Sequence, residues 1–437
     1  MVNKYYLEVL KFQGLFINLS VFLFLIFPAF GGDTVIKNIL PNGATVLFKQ
    51  TEGEGIIAGS IFIKGGSVED PEGKKGLTNL TLSLLLKGSK NYSAFEINKT
   101  FEDSGGYIST SVGEEYSTIE FALRTQDFEK GMKVLKDMIF NPLFPEDKLK
   151  MEKKNVIAQI KAKKEEGFSY AFDQLRKEIY KGTPYQYSPL GKEKDVKSIT
   201  VEDVKKRWKE LLVGGRFVVS FVGDMPFKDA EKDIKDVFSK ITGGSYDLPR
   251  FTYDITGRKC KTLKREGAQS TILVAYDAPT AKEKGYFSMK VLNGIIGSGF
   301  TSRLFQELRE KKGLAYAVGS FFPTRVNMGR FIAYIGTAPE KTDESLKGII
   351  NVVRSIEKGV SEEEIKIAKE KIIGHFLLEH QTRAKQAWYL GWFETIGLGY
   401  QMDREYPDRI NKVSKNDIFD VWKRHIPKGY RCVIVKP

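Results

Sequence analysis

The chain has 437 residues, of which 41% are hydrophobic and 28% are charged, and its formal net charge is +14. This length allows two or three domains with full cores, and the composition is that of a globular protein rather than a disordered one. Because no stacking-aromatic motif or recognition helix accompanies the positive charge, we do not expect nucleic acid among the partners.

The first thirty residues form a segment of different character. Lys4 and Lys11 precede a long apolar run, after which Ala29 and Gly31 are small residues at the two positions that a signal peptidase reads. We interpret residues 1–31 as a signal peptide, with an uncleaved N-terminal anchor as the alternative. We therefore expect an exported protein, periplasmic or otherwise extracytoplasmic, that contacts a membrane only through this segment if it is retained.

A Leu-rich helix follows a Gly/Pro-containing loop in the first half of the chain. The stretch is GSVEDPEGKKGLTNLTLSLLLKGSKNYSAFEI, and the helix is predicted to end at Gly88. It carries small polar residues at Asn79 and Ser83, which a packed helix commonly satisfies with its own backbone.

Two segments roughly 210 residues apart repeat one pattern. They are SITVEDVKKRWKELLVGGRFVVSFV and KVSKNDIFDVWKRHIPKGYRCVIVK. Thr200 with Asp203, and Ser414 with Asp417, form a capping pair ahead of a helix in each copy, and a glycine precedes a β-branched strand. A second pair of segments, which begin STIEFALRTQDF and GRFIAYIGTAPE, shares a strand, a capped helix, a turn and a second helix.

This repeat predicts an α+β fold of two homologous units, each a mainly antiparallel sheet packed with long helices. The join lies in GGSYDLPRFTYDITGR, residues 243–258, where Gly, Pro and Asp gather. The predicted domains are therefore residues 33–245 and 256–437.

The stretch HFLLEH holds two of the three histidines, His375 and His380. A helical zinc site needs two histidines four residues apart, whereas a separation of five turns the imidazoles about 140° away from each other. His375 and Glu379 share a face, which is typical of an ordinary i,i+4 pair. We interpret the likeness to a zinc motif as a coincidence, and an unconventional peptidase site here is the least favoured alternative.

The two cysteines, Cys260 and Cys432, leave two possibilities open. They could form one disulfide in an exported protein, or they could be two small core residues.

At these motifs the chain resembles the pitrilysin/insulinase family of inverted-motif zinc peptidases, in particular the two-domain branch that includes the mitochondrial processing peptidase and its bacterial relatives. The resemblance runs from residue 33 to the C-terminus and implies one half of a clamshell. The motifs that carry it are GLTNLTLSLLLKGS, SGGYISTSVGEEYSTIEFAL, LFPEDKLKMEKKNVIAQI and GFTSRLFQELREKKGLAYAVGSF.

Active members of this family carry His-x-x-Glu-His on the first helix and a more distant Glu as third ligand. The four corresponding positions of this chain are Asn79, Leu82, Ser83 and Gln159. Amide and hydroxyl groups are poor ligands for zinc, and leucine cannot take a proton from water. The resemblance therefore implies a chain that neither holds zinc nor hydrolyses peptides by itself, with the zinc in a partner subunit; a weak site for another ion is the alternative.

The resemblance also assigns catalytic roles to Arg309 and Tyr316 in SRLFQELREKKGLAY. A guanidinium can fix a substrate carbonyl or carboxylate, and a phenol can donate to a developing oxyanion. The alternative is a surface ion pair of Arg309 with Glu307 or Glu310 and a half-buried strand residue at Tyr316.

Two further features match substrate-binding elements of the family. Gly297 and Gly299 lie where the processing peptidase has a glycine-rich loop, although a turn before a helix explains them too. A hairpin strand matches the edge on which family members add a substrate strand by main-chain pairing. Its residues are Ser109, Thr110, Ser111 and Val112.

The leading hypothesis is a non-catalytic subunit of a heterodimeric zinc metallopeptidase. It would bind an extended or unfolded peptide and supply Arg309 and Tyr316 in trans to a zinc-bearing subunit of the same family. The alternative is a standalone peptide-binding or scaffold protein derived from the same fold.

Overall fold

The computed structural model describes residues 34–437, so the signal peptide or anchor predicted at residues 1–31 lies outside the described residues. Residues 35–437 form one compact unit. None of the helices formed by the described residues is both long enough and apolar enough to cross a membrane.

Within residues 34–437, six strands form the sheet of the first half. They are β1 (Val35–Ile39), β2 (Thr45–Gln50), β3 (Ile56–Lys64), β4 (Tyr107–Val112), β5 (Tyr116–Arg124) and β6 (Phe217–Gly223). Their order is β1-β2-β6-β3-β5-β4, and the one parallel neighbour pair is β2 with β6.

Five strands form the sheet of the second half. They are β7 (Gly257–Lys264), β8 (Ser270–Ala278), β9 (Ala317–Phe321), β10 (Gly329–Thr337) and β11 (Gly429–Lys436). Their order is β7-β11-β8-β10-β9, again with one parallel pair, β7 with β11. This is the order of the first sheet without β1, so both sheets are mainly antiparallel and the two-unit α+β prediction is confirmed.

The helices divide in the same way. In the first half they are α1 (Leu77–Leu85), α2 (Ala94–Glu102), α3 (Phe128–Phe140), α4 (Glu146–Glu165), α5 (Gly167–Ile179), α6 (Glu193–Ser198), α7 (Val201–Leu211) and α8 (Phe227–Phe238). In the second half they are α9 (Tyr286–Gly297), α10 (Thr342–Arg354), α11 (Glu362–Glu379), α12 (Arg383–Thr395), α13 (Met402–Asn411) and α14 (Lys415–His425). A π-helical segment, Phe305–Lys311, precedes β9.

The repeat extends to individual hydrogen bonds. Trp208 Nε1 donates to the Ile139 carbonyl at 2.8 Å, and Trp422 Nε1 donates to the Val353 carbonyl at 2.9 Å. Both predicted capping boxes are present, at the N-termini of α7 and α14. Each half therefore fixes the helix before one of its strands, α7 before β6 and α14 before β11, by the same two devices: a capping box and an indole bonded to a carbonyl.

Each sheet is covered on both faces, and one layer on each comes from the other half of the chain. Helix α12 packs on β3 and β6 of the first sheet, and α5 packs on β8 and β11 of the second. Alternate residues of a strand face opposite sides of the sheet. Accordingly Ile61 joins the core of the first half, whereas Phe62 joins Leu390 under α12.

The second sheet shows the reciprocal arrangement. On β8, Val274 belongs to the core of the second half, whereas Leu273 packs with Leu175 of α5. The two halves have thus exchanged a helix, and neither sheet can be covered without both halves.

Close approach of α12 to the first sheet depends on Gly391. A Cβ at this residue would lie 2.5 Å from Ser220 Oγ and 2.7 Å from the Phe62 ring. Because Gly391 has no Cβ, the helix lies close enough for Ser220 Oγ of β6 to donate to the Ala387 carbonyl at 2.6 Å. A glycine is therefore required where the exchanged helix crosses β3 and β6.

Residues 243–256 form neither helix nor strand and run from α8 to β7, where the sequence predicted the join. The domain limits at 245 and 256 stay a prediction, because the exchanged helices make one unit of residues 35–437. Cys260 and Cys432 face each other across the parallel pair β7 and β11 and are joined as a disulfide, with their Cα atoms 4.4 Å apart.

Candidate functional site

Helix α1 carries three of the four positions at which the family places zinc chemistry. It begins after Gly76, whose φ is +102° and where a Cβ would lie 2.7 Å from the Leu190 carbonyl oxygen. Leu82 is 1% exposed and belongs to the apolar core of the first half. Ser83 Oγ donates to the Leu80 carbonyl at 3.0 Å, and Asn79 is half-buried. The helix therefore presents no imidazole or carboxylate, and its donor set does not fit zinc.

The fourth position, Gln159, is exposed on α4. Helices α1 and α4 pack together, and Lys87 at the end of the first pairs with Glu152 of the second at 3.0 Å. The fold thus brings the two helices into the contact that the resemblance implied, without the ligands. Across residues 34–437 no group of three or more His, Cys, Asp or Glu side chains is arranged to hold a metal ion.

The two histidines of HFLLEH lie in different surroundings. The side chain of His375 is 75% exposed, and its Nε2 lies 3.7 Å from Glu379, the i,i+4 partner predicted from the sequence. His380 is half-buried, with one ring nitrogen 2.7 Å from the Phe376 carbonyl and the other 2.7 Å from Asp403. The two imidazoles share no partner among these contacts.

Arg309 and Tyr316 lie next to each other at the start of β9. Arg309 Nη1 donates to the Tyr316 carbonyl at 3.1 Å, and the guanidinium carbon lies 5.2 Å from the centre of the Phe305 ring. Glu307, one of the two acids considered as its partner, pairs with Lys311 at 2.6 Å instead, and the structure shows no ion pair between Arg309 and Glu310. Arg309 is exposed and Tyr316 is 58% exposed, so Tyr316 is not the half-buried strand residue of the alternative interpretation.

The predicted glycine loop is a short turn between α9 and the π-helical segment. A Cβ on Gly297 would lie 2.3 Å from Ser320 Oγ of β9, so this glycine permits close packing. Gly299 has a φ of +87°, a left-handed conformation that favours glycine. Phe300 follows, 75% exposed, with its ring edge-on to Phe305 at 5.0 Å. A role of Gly297 and Gly299 in substrate binding stays a prediction.

The predicted substrate strand is an edge of the first sheet. Among the described strands β4 has one neighbour, β5, and it carries Ser109 to Val112 in register with Ser117 to Glu120. Ser109 and Ser111 are exposed, and Thr110 and Val112 are half-buried. An edge strand presents N–H and C=O groups that an added strand can pair with.

An ionic cluster fixes the turn between β4 and β5, and the sequence analysis missed it. Glu114 pairs with Arg176 at 2.6 Å and with Arg325 at 2.9 Å, and all three side chains are largely buried. Burial alone would raise the pKa of Glu114, but the two guanidiniums outweigh burial and hold the pKa at about 2.

Glu115 joins the same turn to the second half. It accepts hydrogen bonds from the Tyr185 hydroxyl at 2.6 Å and from the Val326 backbone N–H at 2.8 Å. The one signal in the sequence is the adjacent pair Glu114-Glu115 in a predicted hairpin, and nothing in the spacing identifies Arg325 as its partner. The cluster holds the turn at one end of the β4 edge.

Two family matches cover most of the chain. Residues 45–193 match the family described as Insulinase (Peptidase family M16), and residues 198–372 match the one described as Peptidase M16 inactive domain. The chain is 23% identical over 400 residues to the uncharacterized zinc protease YmxG of Bacillus subtilis (strain 168), an alignment that covers 91% of this chain and 97% of that protein.

The chain is also 25% identical over 377 residues to the non-peptidase homolog YmxG of Helicobacter pylori (strain ATCC 700392 / 26695), covering 83% of this chain and 84% of that one. A crystal structure from Pseudomonas fluorescens, described as a peptidase M16 inactive domain, superposes with a TM-score of 0.85 at 22% identity. That superposition covers 92% of this chain and 98% of the other, so the two proteins share one fold.

Proposed function

The chain belongs to peptidase family M16, and on that premise we propose that it is the non-catalytic subunit of a heterodimeric zinc metallopeptidase. It is a peptidase-like member in which Asn79, Leu82, Ser83 and Gln159 stand at the positions of the zinc ligands and the general base. In the two-domain branch that it resembles, one subunit brings the zinc helix and the other brings an Arg and a Tyr. Zinc is accordingly assigned to the partner subunit.

The observation that carries this proposal is the pair Arg309 and Tyr316. The guanidinium is held against the Tyr316 carbonyl, and both side chains are exposed, so they are available to a second molecule. A phenol can donate to the oxygen on which negative charge develops when a peptide carbonyl is attacked, and a guanidinium can fix a neighbouring carbonyl. With no zinc donor set on α1, these groups would act on a peptide held at the partner's metal.

The edge of β4 supports binding of an extended peptide. Main-chain pairing needs no particular side chain, and exposed Ser109 and Ser111 leave the edge polar and accessible. The ionic cluster around Glu114 holds the adjacent turn in place. A preorganised edge loses less conformational entropy when a strand is added.

The disulfide between Cys260 and Cys432 supports export. Disulfides persist in oxidising compartments and are rare in the cytosol, so a bonded pair agrees with the predicted signal peptide. The proposed location is the periplasm or another extracytoplasmic compartment.

The experiment that tests the subunit proposal mixes the purified chain with a zinc-bearing family member from the same organism. We expect an extended fluorogenic peptide to be cleaved faster by the mixture than by the partner alone. Tyr316→Phe and Arg309→Ala should each lower kcat/KM of the mixture, on the order of 100-fold if the residue acts on the developing oxyanion. Lys312→Ala, which changes an exposed cation three residues from Arg309, is the matched control and should have no effect.

A mixture no faster than the partner alone would contradict the subunit proposal and favour a standalone peptide-binding protein. The edge of β4 is the observation that favours this second candidate. A standalone peptide-binding protein should bind an extended peptide without any partner. Binding should be lost when alternate backbone nitrogens of the peptide are methylated, because these N–H groups pair with the strand. Fluorescence anisotropy of the labelled peptide measures both.

A further inference from the structure

A pocket of about 680 Å³ lies among α9, α11, α12 and α13 in the second half. Its volume falls in the range of pockets that hold small molecules. Six aromatic side chains line it: Tyr286, Phe376, Tyr389, Trp392, Phe393 and Tyr406. The pocket involves neither the β4 edge nor Arg309 and Tyr316, so the proposed function leaves it unexplained.

Lys290 of α9 brings a cation to this aromatic lining. Its Nζ lies 5.2 Å from the centre of the Tyr286 ring and 5.5 Å from that of Phe322, and it donates to Thr324 Oγ1 at 3.1 Å. Among residues 34–437 no carboxylate pairs with Lys290. Burial lowers the pKa of Lys290, since an ammonium in apolar surroundings is costly until an anion neutralises it.

The other charged groups on the lining, and the acids bonded to lining residues or their neighbours, already have hydrogen-bond partners. Lys371 donates to the Ser298 carbonyl, and the Glu379 carboxylate accepts from the Tyr389 hydroxyl and lies near His375. Asp403 is bonded to His380. No acid in these contacts remains to neutralise Lys290, whose charge is therefore open to a ligand.

We propose that this pocket binds a small carboxylate with an apolar body, whose carboxylate pairs with Lys290 while the aromatic walls enclose the body. Burial of the apolar part against the rings supplies most of the affinity, and the ammonium selects the anion. A fatty acid and the free C-terminus of a peptide that ends in an apolar residue share this chemistry.

The fold explains why a pocket lies here. Helices α9 and α11 are the counterparts of α1 and α4, on which the family places its zinc ligands. Leu82 of α1 and Val291 of α9 both fill the core of their half, and in the second half a pocket lined by rings lies beside α9 and α11. The repeat has kept the helix pair, and its surroundings have diverged.

Isothermal titration with decanoate and with decanol tests the proposal. Decanoate should bind more tightly than decanol, because only decanoate can pair with Lys290. Lys290→Met keeps an unbranched side chain that is one atom shorter and removes the charge, so it should weaken decanoate binding at least 10-fold and leave decanol binding unchanged. The variant should fold, since it replaces a costly amine by an apolar group, and Lys366→Met on the exposed face of α11 is the matched control.

A second variant closes the pocket without changing its charge. Gly374 lines the pocket, and a Cβ there would meet no atom within 4 Å. Gly374→Leu should therefore fold, place its side chain in the cleft and abolish binding of decanoate and decanol alike.

N-acetyl-Phe-Leu and its C-terminal amide form the peptide arm of the experiment. If N-acetyl-Phe-Leu with its free carboxylate binds more tightly than decanoate, the ligand class is a peptide C-terminus. If decanoate binds more tightly, the ligand class is a fatty acid. The proposal is wrong if neither carboxylate binds, if Lys290→Met leaves the binding of both unchanged, or if Gly374→Leu still binds.

Discussion

The parallel strand pairs β2/β6 and β7/β11 occupy the same place in the two sheets and carry different side chains. Thr45 lies opposite Val218 in the first sheet, and Cys260 lies opposite Cys432, with a disulfide, in the second. The strand order around both pairs is the same. A repeat therefore preserves the strand pairing of a sheet, while the side chains at one pair of opposite residues differ between the copies.

The helix pairs α1/α4 and α9/α11 show the same division between the frame, meaning the strands and helices that recur in both halves, and the site residues that they carry. In both halves the first helix of the pair packs on an edge strand, α1 on β4 and α9 on β9, and the second packs on the first, because each half must bury the same apolar faces. The positions that would hold zinc on α1 have neutral side chains, and α9 instead carries Lys290 beside an aromatic pocket. Frame residues are constrained by folding in both halves, and site residues only by the function of their own half.

Truncation of the exchanged helices should have the largest effect. Leu175 of α5 and Leu390 of α12 are buried against the sheet of the other half. Leu175→Ala and Leu390→Ala should each lower the free energy of unfolding by about 3 kcal/mol, from lost transfer energy and the cavity. Urea unfolding followed by tryptophan fluorescence should show one transition in both variants.

The exposed lysines on the same helices provide the controls. Lys177→Ala and Lys385→Ala should change the free energy of unfolding by less than about 0.5 kcal/mol. Two separate transitions, each shifted by only one of the leucine variants, would show that the halves unfold independently and that the exchange does not couple them.

Removal of the disulfide should rank next. The double variant Cys260→Ala with Cys432→Ala should be less stable by about 3 kcal/mol, because the bond restricts the unfolded chain. The first sheet has no counterpart of this bond at Thr45 and Val218, but the exchanged helices couple the halves, so reductant should shift the single unfolding transition of the chain. Uptake of an alkylating agent by the denatured, unreduced protein measures the bond directly, and two reactive thiols would contradict it.

Much of the frame could be predicted from the sequence, because local patterns encode it. The capping pairs at Thr200 and Ser414, the strands they precede and the i,i+4 pair of His375 all depend on residues a few positions apart. The exchange of α5 and α12 could not be predicted, since an apolar helix face shows that it will be buried and not which sheet receives it.

The site was predictable to the same extent. The family resemblance, and not their spacing alone, singled out Arg309 and Tyr316, whose guanidinium and main-chain carbonyl the structure places in contact. The Glu114 cluster and the Lys290 pocket depend on residues brought together only by the fold, such as Arg325 or Tyr406, and no spacing rule connects them.

Protonation of Glu114 in acid should lower the free energy of unfolding by somewhat less than removal of the disulfide. Folding lowers the pKa of Glu114 from 4.5 to about 2, so its contribution is fully present above pH 4.5 and is lost as the pH falls toward 2. Glu114→Gln should cost about 2 to 3 kcal/mol at pH 7 and about half of that or less at pH 3. Urea unfolding at the two pH values measures the difference.

Two other carboxylates test whether burial of the charge decides the effect at Glu114. Glu129→Gln, on an exposed part of α3, should leave stability unchanged at both pH values. Glu364 of the second half, whose pKa a hydrogen bond from Arg303 lowers to about 2, is more exposed than Glu114 and should contribute less. An equal loss from Glu114→Gln at pH 7 and pH 3 would mean that its charge is not what holds the turn.

The capping boxes should show the smallest effect and the closest agreement between the halves. Thr200→Ala and Ser414→Ala each remove the side-chain acceptor of an N-terminal N–H, which should cost about 1 kcal/mol in either half. Asp203 also pairs with Lys74 at 2.6 Å, so Asp203→Asn should cost more than Asp417→Asn. Equal losses for the two hydroxyl variants would place the caps in the shared frame, whereas a difference above about 1 kcal/mol would show that the frame itself has begun to diverge.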